Sequence, residues 1–327
     1  MKNLFFMLIA GVASLFFFSC ETDAVGEDGI EKVSDLSATK KMDPAVIPIK
    51  EENLFPEGIE YDQREDRFLV SSITRGTIGQ VKDGIYSEFI TDPDLIASIG
   101  IHIDNSRKRL LVINSHIDGS FSALAAYELS SGERLFYTDL LGLKDGPSFT
   151  NDVTVDKNGI AYVTDSYAGI IYKVDEEGNP SVFYEDEELA PSPGNAGLNG
   201  IDYDPRGYLL VSHLETNRIL RIPINTPEAY SKVDIPVDMF GPDGIYLKNP
   251  NELLVVSNDG GGENAVVHTF KTKDKWKSAI LKDAFPTYAT FPTTVTVKKN
   301  TPYVLYSYLP ILLSGGSQDE FQIVKAE

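Results

Sequence analysis

The sequence predicts an all-β protein that folds as a six-bladed β-propeller, and three observations support this fold class. From about residue 50, short runs of Val, Ile, Leu, Tyr and Phe alternate with Gly, Asn, Asp and Pro turns, without a long stretch of helical period. One strand hairpin recurs six times, with starts 42 to 52 residues apart. Further strand candidates lie between the hairpins, so each repeat can supply the four strands of a propeller blade.

The N-terminus is typical of an export signal. Lys2 is followed by an apolar stretch up to Phe18, which is too short for a comfortable membrane span. Ser19 and Cys20 resemble a bacterial lipobox, in which the cysteine is lipidated and becomes the mature N-terminus. We therefore predict a lipoprotein signal peptide over residues 1–19 and a lipid anchor on Cys20. An uncleaved anchor and an ordinary signal peptide that ends nearby are the alternatives.

A polar, acidic segment follows the cysteine. Residues 20–45 lack hydrophobic periodicity, which predicts a flexible tether, and residues 46–327 are predicted to form the propeller. The acidic tract resembles export signals of surface lipoproteins in some Gram-negative bacteria, although a plain solvated linker has the same composition. We expect an exported protein, anchored on the periplasmic or cell-surface face of a Gram-negative outer membrane.

The formal net charge of −20 limits the classes of partner. Non-specific binding to nucleic acid requires a local excess of Lys and Arg, so no nucleic acid partner is expected. We interpret the acidic composition mainly as a contribution to solubility, with some attraction of the protein for cations. Cys20 is the single cysteine, which excludes an intramolecular disulfide. We expect a monomer with a small-molecule substrate.

The leading position of the repeated hairpin is the most informative position in the chain. Four of the six copies carry an acidic or amide residue there, and such side-chain oxygens are ligands for hard cations. The six leading residues, in chain order, are Glu57, Ile99, Asn151, Asn199, Asp243 and Thr293. Corresponding hairpin ends ring one mouth of a propeller channel, so we predict that Glu57, Asn151, Asn199 and Asp243 bind a metal ion. Asn-Gly and Asp-Gly are also turn formers, which is the alternative for each copy.

The donor set indicates Ca²⁺ as the cofactor, with Mg²⁺ or Mn²⁺ as substitutes. Zn²⁺ is a less favoured substitute, because no pair of histidines has zinc-ligand spacing. A cation at such a site acts as a Lewis acid on a carbonyl or phosphoryl oxygen.

A second ring of residues ends the other strand of each hairpin. Its predicted members are Ser72, Asn114, Ser166, His213, Asn258 and Tyr308. His213 is predicted to lie beside Asn199 and to act as a catalytic base, with a backbone-bonded wall histidine as the alternative. Asp165 and Asn258 are predicted to orient the metal ligands, with a strand-end cap as the alternative for Asp165. His102 is expected to pack within its blade.

Several segments resemble those of a known superfamily. Residues 55–60, 150–156, 198–204 and 241–245 resemble the metal-binding signatures of the regucalcin/gluconolactonase-like and paraoxonase-like propellers. Residues 121–129 and 291–297 are most similar to members called calcium-dependent phosphotriesterase-like. The resemblance covers roughly residues 53–310.

The resemblance implies a six-bladed propeller with a catalytic divalent cation, usually Ca²⁺, at the channel mouth and hydrolysis of lactones or related esters. It places the ligand roles on Glu57, Asn151, Asn199 and Asp243, with Asp243 also serving as the base. Ile99 stands where the paraoxonase-like branch has a histidine, and residues 146–150 differ from the sugar-lactone branch. The substrate therefore does not carry over from either branch.

Two functions of different class follow. The first is a metal-dependent hydrolase of lactones or related esters. The alternative is a non-catalytic propeller lipoprotein that binds a ligand or partner at its channel mouth. A strictosidine-synthase-like condensing activity is disfavoured, because the metal ligands are present.

Overall fold

The computed structural model describes residues 45–327, which belong to one compact unit, Pro44–Glu327. The predicted signal peptide, Cys20 and all but the last residue of the predicted tether lie outside the described residues. Within that part of the chain, twenty-four strands form six four-stranded antiparallel sheets. The predicted six-bladed β-propeller is confirmed.

The strands follow one another with few helical insertions. In chain order they are β1 (Val46–Lys50), β2 (Ile59–Asp62), β3 (Arg67–Val70), β4 (Ile78–Lys82), β5 (Ile85–Ile90), β6 (Ser98–Asp104), β7 (Arg109–Ser115), β8 (Ser122–Glu128), β9 (Arg134–Asp139), β10 (Thr150–Val155), β11 (Ala161–Asp165), β12 (Ile170–Val174), β13 (Pro180–Glu185), β14 (Leu198–Asp204), β15 (Tyr208–His213), β16 (Arg218–Pro223), β17 (Ser231–Lys232), β18 (Pro242–Asn249), β19 (Glu252–Ser257), β20 (Val266–Lys271), β21 (Ile280–Pro286), β22 (Pro292–Lys298), β23 (Thr301–Tyr306) and β24 (Glu320–Lys325). One short α-helix, α1 (Leu309–Leu313), and four single-turn 3₁₀ segments (Leu141–Leu143, Glu187–Leu189, Pro227–Ala229 and Asp259–Gly261) complete the described elements. Among residues 45–327, none of these helices has the length and apolar character needed to cross a bilayer.

Blades 1 to 5 are built from four consecutive strands each, beginning with β2, β6, β10, β14 and β18. The first strand of each blade packs beside the first strands of its neighbours and so lines the central channel. Successive strands of a blade pair antiparallel and run outward from the axis. The leading residues therefore meet at one end of the channel, which we call the mouth.

Blade 6 closes the ring by joining the two ends of the described chain. It combines β22, β23 and β24 with β1, which pairs antiparallel with β24. Ile47 and Ile49 lie opposite Ile323 and Phe321, and both are buried while their neighbours on β1 are exposed. This alternation is the period-2 pattern of a strand with one covered face. The sequence placed the start of the propeller at residue 46 but did not predict this pairing.

The hydrophobic core is divided among the six interfaces between adjacent blades. Six clusters of buried side chains occur, and each draws its members from two neighbouring blades. The second strand of a blade is covered on both faces, so β7, β15 and β19 are buried along their whole length. For this reason these strands contain continuous apolar runs such as Leu-Leu-Val, whereas a strand with one exposed face alternates apolar and polar residues.

Candidate metal centre at the channel mouth

β-bulges interrupt the inner strands at the leading positions of the hairpins. The pairing register shifts in five inner strands, between Ser98 and Ile101, Thr150 and Val153, Leu198 and Ile201, Pro242 and Ile245, and Pro292 and Val295. A bulge removes a residue from the ladder and re-aims its side chain. In blade 1 the strand begins only at Ile59, and the backbone N–H groups of Glu57 and Gly58 donate to Ser71 Oγ instead.

Glycine follows the leading residue in four copies, because adjacent inner strands approach closely there. A Cβ added to Gly200 would lie 2.5 Å from the carbonyl oxygen of Asp243, and one on Gly100 would lie 2.5 Å from that of Asn151. Only a residue without a side chain allows this approach. This close approach of adjacent inner strands brings the leading residues of neighbouring blades together.

Glu57, Asn151, Asn199 and Asp243 converge in a buried group, which we call the oxygen ring. Each is at most 7% exposed. Burial, together with the charges of Asp243 and Asp152, raises the pKa of Glu57 well above its usual value. Burial also raises the pKa of Asp243 to about 7, against hydrogen bonds from Asn258 and Asn199 that lower it. The carboxyl group of Asp243 is thus close enough to disfavour the ionisation of Glu57.

Three oxygens of this ring lack a hydrogen-bond partner. Asn151 Oδ1, Asn199 Oδ1 and Asp243 Oδ1 are buried and unpaired. A buried acceptor without a partner costs roughly 1–3 kcal/mol, so three of them in one place require compensation. A hard cation would provide it, since carboxylate and amide oxygens are the ligands that Ca²⁺ prefers. The residues present therefore fit a Ca²⁺-type ion.

The centre depends on amide oxygens as much as on carboxylates. Among residues 45–327, no group of three or more His, Cys, Asp or Glu side chains is placed to hold a metal ion. The oxygen ring contains two carboxyl groups, those of Glu57 and Asp243, with two asparagines beside them. This composition favours a hard oxygen-binding cation over zinc.

Three leading positions of the hairpin repeat are preceded by a left-handed residue and a proline. Phe55, Gly241 and Phe291 have φ of 41°, 61° and 48°, and each is followed by Pro and then by the leading residue of its copy. A bulky side chain in this conformation costs on the order of 1–3 kcal/mol and persists only where the surroundings hold it. Phe55 is fully buried, with its ring 5.3 Å from that of Phe321. Packing of blade 6 thereby positions Glu57.

Asn258 contacts the oxygen ring directly. Its Nδ2 donates to Asp243 Oδ2 over 2.7 Å, and its Oδ1 accepts from the N–H of Gly260 at 3.0 Å. The second contact fixes which end of the amide faces the carboxylate. This contact leaves Asp243 Oδ1 as the oxygen without a hydrogen-bond partner, and the orienting role of Asn258 stays a prediction.

Both carboxylate oxygens of Asp165 accept hydrogen bonds from donors of its own blade. Ser148 Oγ and the Tyr172 hydroxyl donate to Oδ2 at 2.6 and 3.0 Å, and the N–H groups of Phe149 and Tyr167 donate to Oδ1 at 3.1 and 2.9 Å. Asp165 therefore anchors residues 148–149, which lead directly into Asn151. It supports the ring through the backbone and touches none of its members.

Both ring nitrogens of His213 are engaged by backbone groups. Nδ1 accepts from the N–H of Thr216 at 3.3 Å, so Nε2 carries the proton and donates to the carbonyl of Leu189 at 3.2 Å. Burial lowers the pKa of this imidazole. The strand register sets His213 opposite Leu198, not beside Asn199. These contacts favour the structural alternative for His213, and its catalytic role stays a prediction.

The second ring of hairpin ends differs from the predicted one in three blades. Thr150 pairs with Asp165, Pro242 with Ser257 and Pro292 with Tyr306. The predicted members Ser166, Asn258 and Tyr308 lie one or two residues further along. The simple hairpin count therefore did not give the end of the second strand in these blades.

Two residues below the ring were not assigned correctly from the sequence. His102 was expected to pack within its blade, but it lines the central channel. Asp152 was missed, although it stands where four other copies have Gly58, Gly100, Gly200 and Gly244. A carboxylate at a position otherwise reserved for glycine was the available signal.

Comparison with known proteins supports the fold. No protein-family model and no curated protein matches the chain. Among solved structures, the major allergen Mala s 1 of Malassezia sympodialis has a TM-score of 0.71 at 18% identity, covering 88% of this chain and 97% of that one. A gluconolactonase of Xanthomonas campestris has a TM-score of 0.59 at 12% identity, with 86% and 89% covered. The calcium-binding protein regucalcin of Agrobacterium tumefaciens has a TM-score of 0.56 at 14% identity, with 85% and 92% covered.

These likenesses confirm the predicted resemblance to regucalcin- and gluconolactonase-like propellers at the level of the fold. Each neighbour is less than 25% identical, so its calcium or its substrate is a property of that protein alone.

Proposed function

We propose that this protein is a hydrolase of lactones or related esters that depends on a divalent cation of the Ca²⁺ type at the channel mouth. Its ligands would be Glu57, Asn151, Asn199 and Asp243. The observation that carries the proposal is the set of three unpaired, buried oxygens on three of these four residues. Mg²⁺, Mn²⁺ and Zn²⁺ are possible substitutes in that order of fit.

A bound cation would supply Lewis-acid polarisation of the scissile carbonyl. The chain itself supplies the base. In the metal-free protein, burial raises the pKa of Asp243 to about 7, and the ionised carboxylate of a group in this range can accept a proton near neutral pH. Asn258 restrains the carboxylate through Oδ2, so that Oδ1 faces the ring. The buried position of the ring excludes bulk water and strengthens its electrostatic effects.

The alternative is a ligand-binding propeller without catalysis. One observation favours it: His213, the second candidate base, has both nitrogens bonded to backbone groups. Asp243 would then have to serve as ligand and base together. The same oxygen ring would in that case hold a cation that only anchors a ligand.

The decisive experiment measures Ca²⁺ binding and turnover separately. Protein dialysed against EDTA is titrated with Ca²⁺ by calorimetry, and a panel of aliphatic lactones, sugar lactones, aryl esters and phosphotriesters is assayed with and without the ion. We expect EDTA to abolish hydrolysis and Ca²⁺ to restore it. Asp243→Asn should lose both binding and turnover, whereas Asp145→Asn, an exposed carboxylate in the loop before blade 3, should lose neither.

The outcomes separate the hypotheses. Ca²⁺ binding without turnover of any substrate would sustain the binding module and end the enzyme proposal. No binding, together with no change of unfolding temperature on adding Ca²⁺, would end the metal proposal, since a ligand specific for the folded state must stabilise it.

We also propose that the protein is exported and anchored through a lipid on Cys20. This rests on the sequence of residues 1–20 alone. Metabolic labelling with a radioactive fatty acid should tag the wild-type chain and not Cys20→Ala. Equal labelling of the two chains would refute the anchor.

A further inference from the structure

A second group of charged side chains lines the central channel beyond the oxygen ring. Each of the six inner strands contributes to a cavity of about 30 Å³, room for one or two water molecules at most. Its polar lining residues are Glu60 on β2, His102 on β6, Asp152 on β10, Asp202 on β14, Tyr246 on β18 and Thr294 on β22. Three carboxyl groups thus share a small interior space with one imidazole.

The two aspartates are held in place by the backbone of the next blade. Asp152 Oδ2 accepts from the N–H of Ile201 at 3.1 Å, which links blade 3 to blade 4. Asp202 Oδ2 accepts from the N–H of Leu247 at 2.6 Å, which links blade 4 to blade 5. Such hydrogen bonds favour the charged form of each carboxyl group, but burial outweighs them and raises the pKa of both aspartates above the usual value.

His102 is the only basic residue among those that line this cavity. Its Nδ1 lies 3.3 Å from Glu60 Oε1, which connects blade 2 to blade 1. Glu60, Asp152 and Asp202 are each partly buried in the channel, where a carboxylate is costly unless a cation lies close to it. The imidazole is the one group of the cavity wall that can provide that charge.

We propose that the protonated imidazole of His102 is the resident cation of the channel, which pairs with Glu60, partly offsets the negative charge of Asp152 and Asp202, and stabilises blades 1 to 4 at the axis. Burial by itself lowers the pKa of His102, but the hydrogen bond and charge of Glu60 and the charges of Asp202 and Asp152 raise it to about 9. The positive charge of His102 in turn opposes the effect of burial on both aspartates. Tyr246 faces the same space and stays neutral, since burial raises its pKa.

Asp152 directly follows Asn151, so this cavity lies next to the oxygen ring. The inference itself needs no metal ion in the ring, so it stands or falls separately from the proposed function.

The first test compares thermal unfolding of the full chain and His102→Gln in EDTA from pH 6 to pH 10. The pKa of His102 is raised on folding, so its stabilising contribution is complete below pH 6.5 and is lost as the pH rises through about 9. The unfolding temperatures of the wild type and the variant should therefore differ most near pH 6.5 and converge above pH 9. A difference that stays constant over this range would show a steric role and overturn the proposal.

His116→Gln is the matched control, because His116 also lies beside a carboxylate, 2.9 Å from Asp118 Oδ1, but is 43% exposed. We expect no comparable pH-dependent difference from this variant, because solvent screens an exposed pair. The same pH-dependent difference in His116→Gln would refute the assignment to the channel.

A second test requires no folded His102 variant. The chain has four histidines, so the imidazole resonances can be assigned by elimination with His116→Gln, His213→Gln and His268→Gln. In wild-type protein free of metal, the His102 resonance should titrate more than two pH units above the ordinary midpoint of about 6.5. A midpoint at or below the ordinary value would overturn the proposal whatever the ring binds.

Discussion

Asn258 donates its Nδ2 to Asp243 Oδ2 over 2.7 Å, and this contact decides which oxygen of the carboxylate remains free. The other oxygen, Oδ1, is buried without a partner, as are the Oδ1 atoms of Asn151 and Asn199. The orienting residue comes from the end of β19 and the oriented one from the bulge of β18, so a single hairpin builds the pair. The four predictions that follow start from this ring.

Removal of the Asn258 amide should weaken Ca²⁺ binding by about 10–100-fold, the usual effect of losing a hydrogen bond behind a metal ligand. Asn258→Ser retains a side chain that can cap the following turn but loses the donor to Asp243. Calorimetric titration measures the change. Asn264→Ser removes a comparable amide, one bonded to Asp259 outside the ring, and should bind Ca²⁺ as the wild type does. Equal losses in both variants would contradict the role of Asn258.

Ca²⁺ affinity should rise as the pH increases from 6 to 8. Burial raises the pKa of Asp243 to about 7 and that of Glu57 well above its usual value, so protons occupy the ring at lower pH. A cation must displace them, and binding must release protons. Calorimetry in buffers of different ionisation enthalpy measures this release. Affinity that is constant over the interval would show that the two carboxyl groups are already ionised at pH 6.

The contribution of Asp243 to the stability of the metal-free protein should fall as the pH rises from about 4 to about 7. The unfolded carboxyl group of Asp243 loses its proton near pH 3.9, whereas the folded one retains it to about 7. The folded state therefore binds more protons over this window, and deprotonation favours unfolding. Denaturant titrations across the window measure the slope, and Asp243→Asn should reduce it. An unchanged slope in that variant would contradict the raised pKa.

His213→Gln should lower the stability without changing Ca²⁺ affinity. The imidazole satisfies the carbonyl of Leu189 and the N–H of Thr216, and leaving such groups unpaired costs roughly 1–3 kcal/mol each. Chemical denaturation and calorimetry measure the two quantities. If the variant keeps its stability but loses turnover more than about 100-fold, His213 is the base after all.

The closure of blade 6 gives a prediction that is independent of the site. Ile49 is completely buried on β1, so Ile49→Ala should cost about 2–5 kcal/mol of unfolding free energy. Val46→Ala on the same strand is the control, because Val46 is 45% exposed and its loss should change the free energy by less than about 0.5 kcal/mol. Urea denaturation measures both. Equal effects would show that β1 does not contribute to the core of blade 6.

The hairpin repeat could be predicted from the sequence because it depends on the strand and turn preferences of residues that are close in the chain. Apolar runs, turn residues and the period between them predicted six blades, and all six sheets occur in the described part of the chain. The phase of Glu57, Asn151, Asn199 and Asp243 predicted that these residues converge, since equivalent positions of a radial repeat share one end of the channel. Asn258 was placed near them by the same reasoning, although for a register that the bulges alter.

The repeat pattern did not predict contacts between residues that lie far apart in the sequence. The pairing of β1 with β24 joins the first and last strands of the described chain, and no local sequence pattern predicts it. His102 and Asp152 became neighbours of Glu60 and Asp202 only because four blades meet around one axis. The backbone partners of His213 come from a 3₁₀ turn and a loop whose positions depend on packing.

The sequence by itself therefore determined the number of blades and the oxygen-rich character of one channel mouth, because both repeat with the local strand period. The tertiary structure decided which oxygens are left without a partner, which histidine lies in the channel and how the ring of blades closes. These properties depend on bulges, on close approaches at glycine and on burial, which arise only when separate blades pack against each other. The physical reason is that charge and hydrogen-bond satisfaction are set by neighbours in space, whereas strand and turn propensities are set by neighbours in the chain.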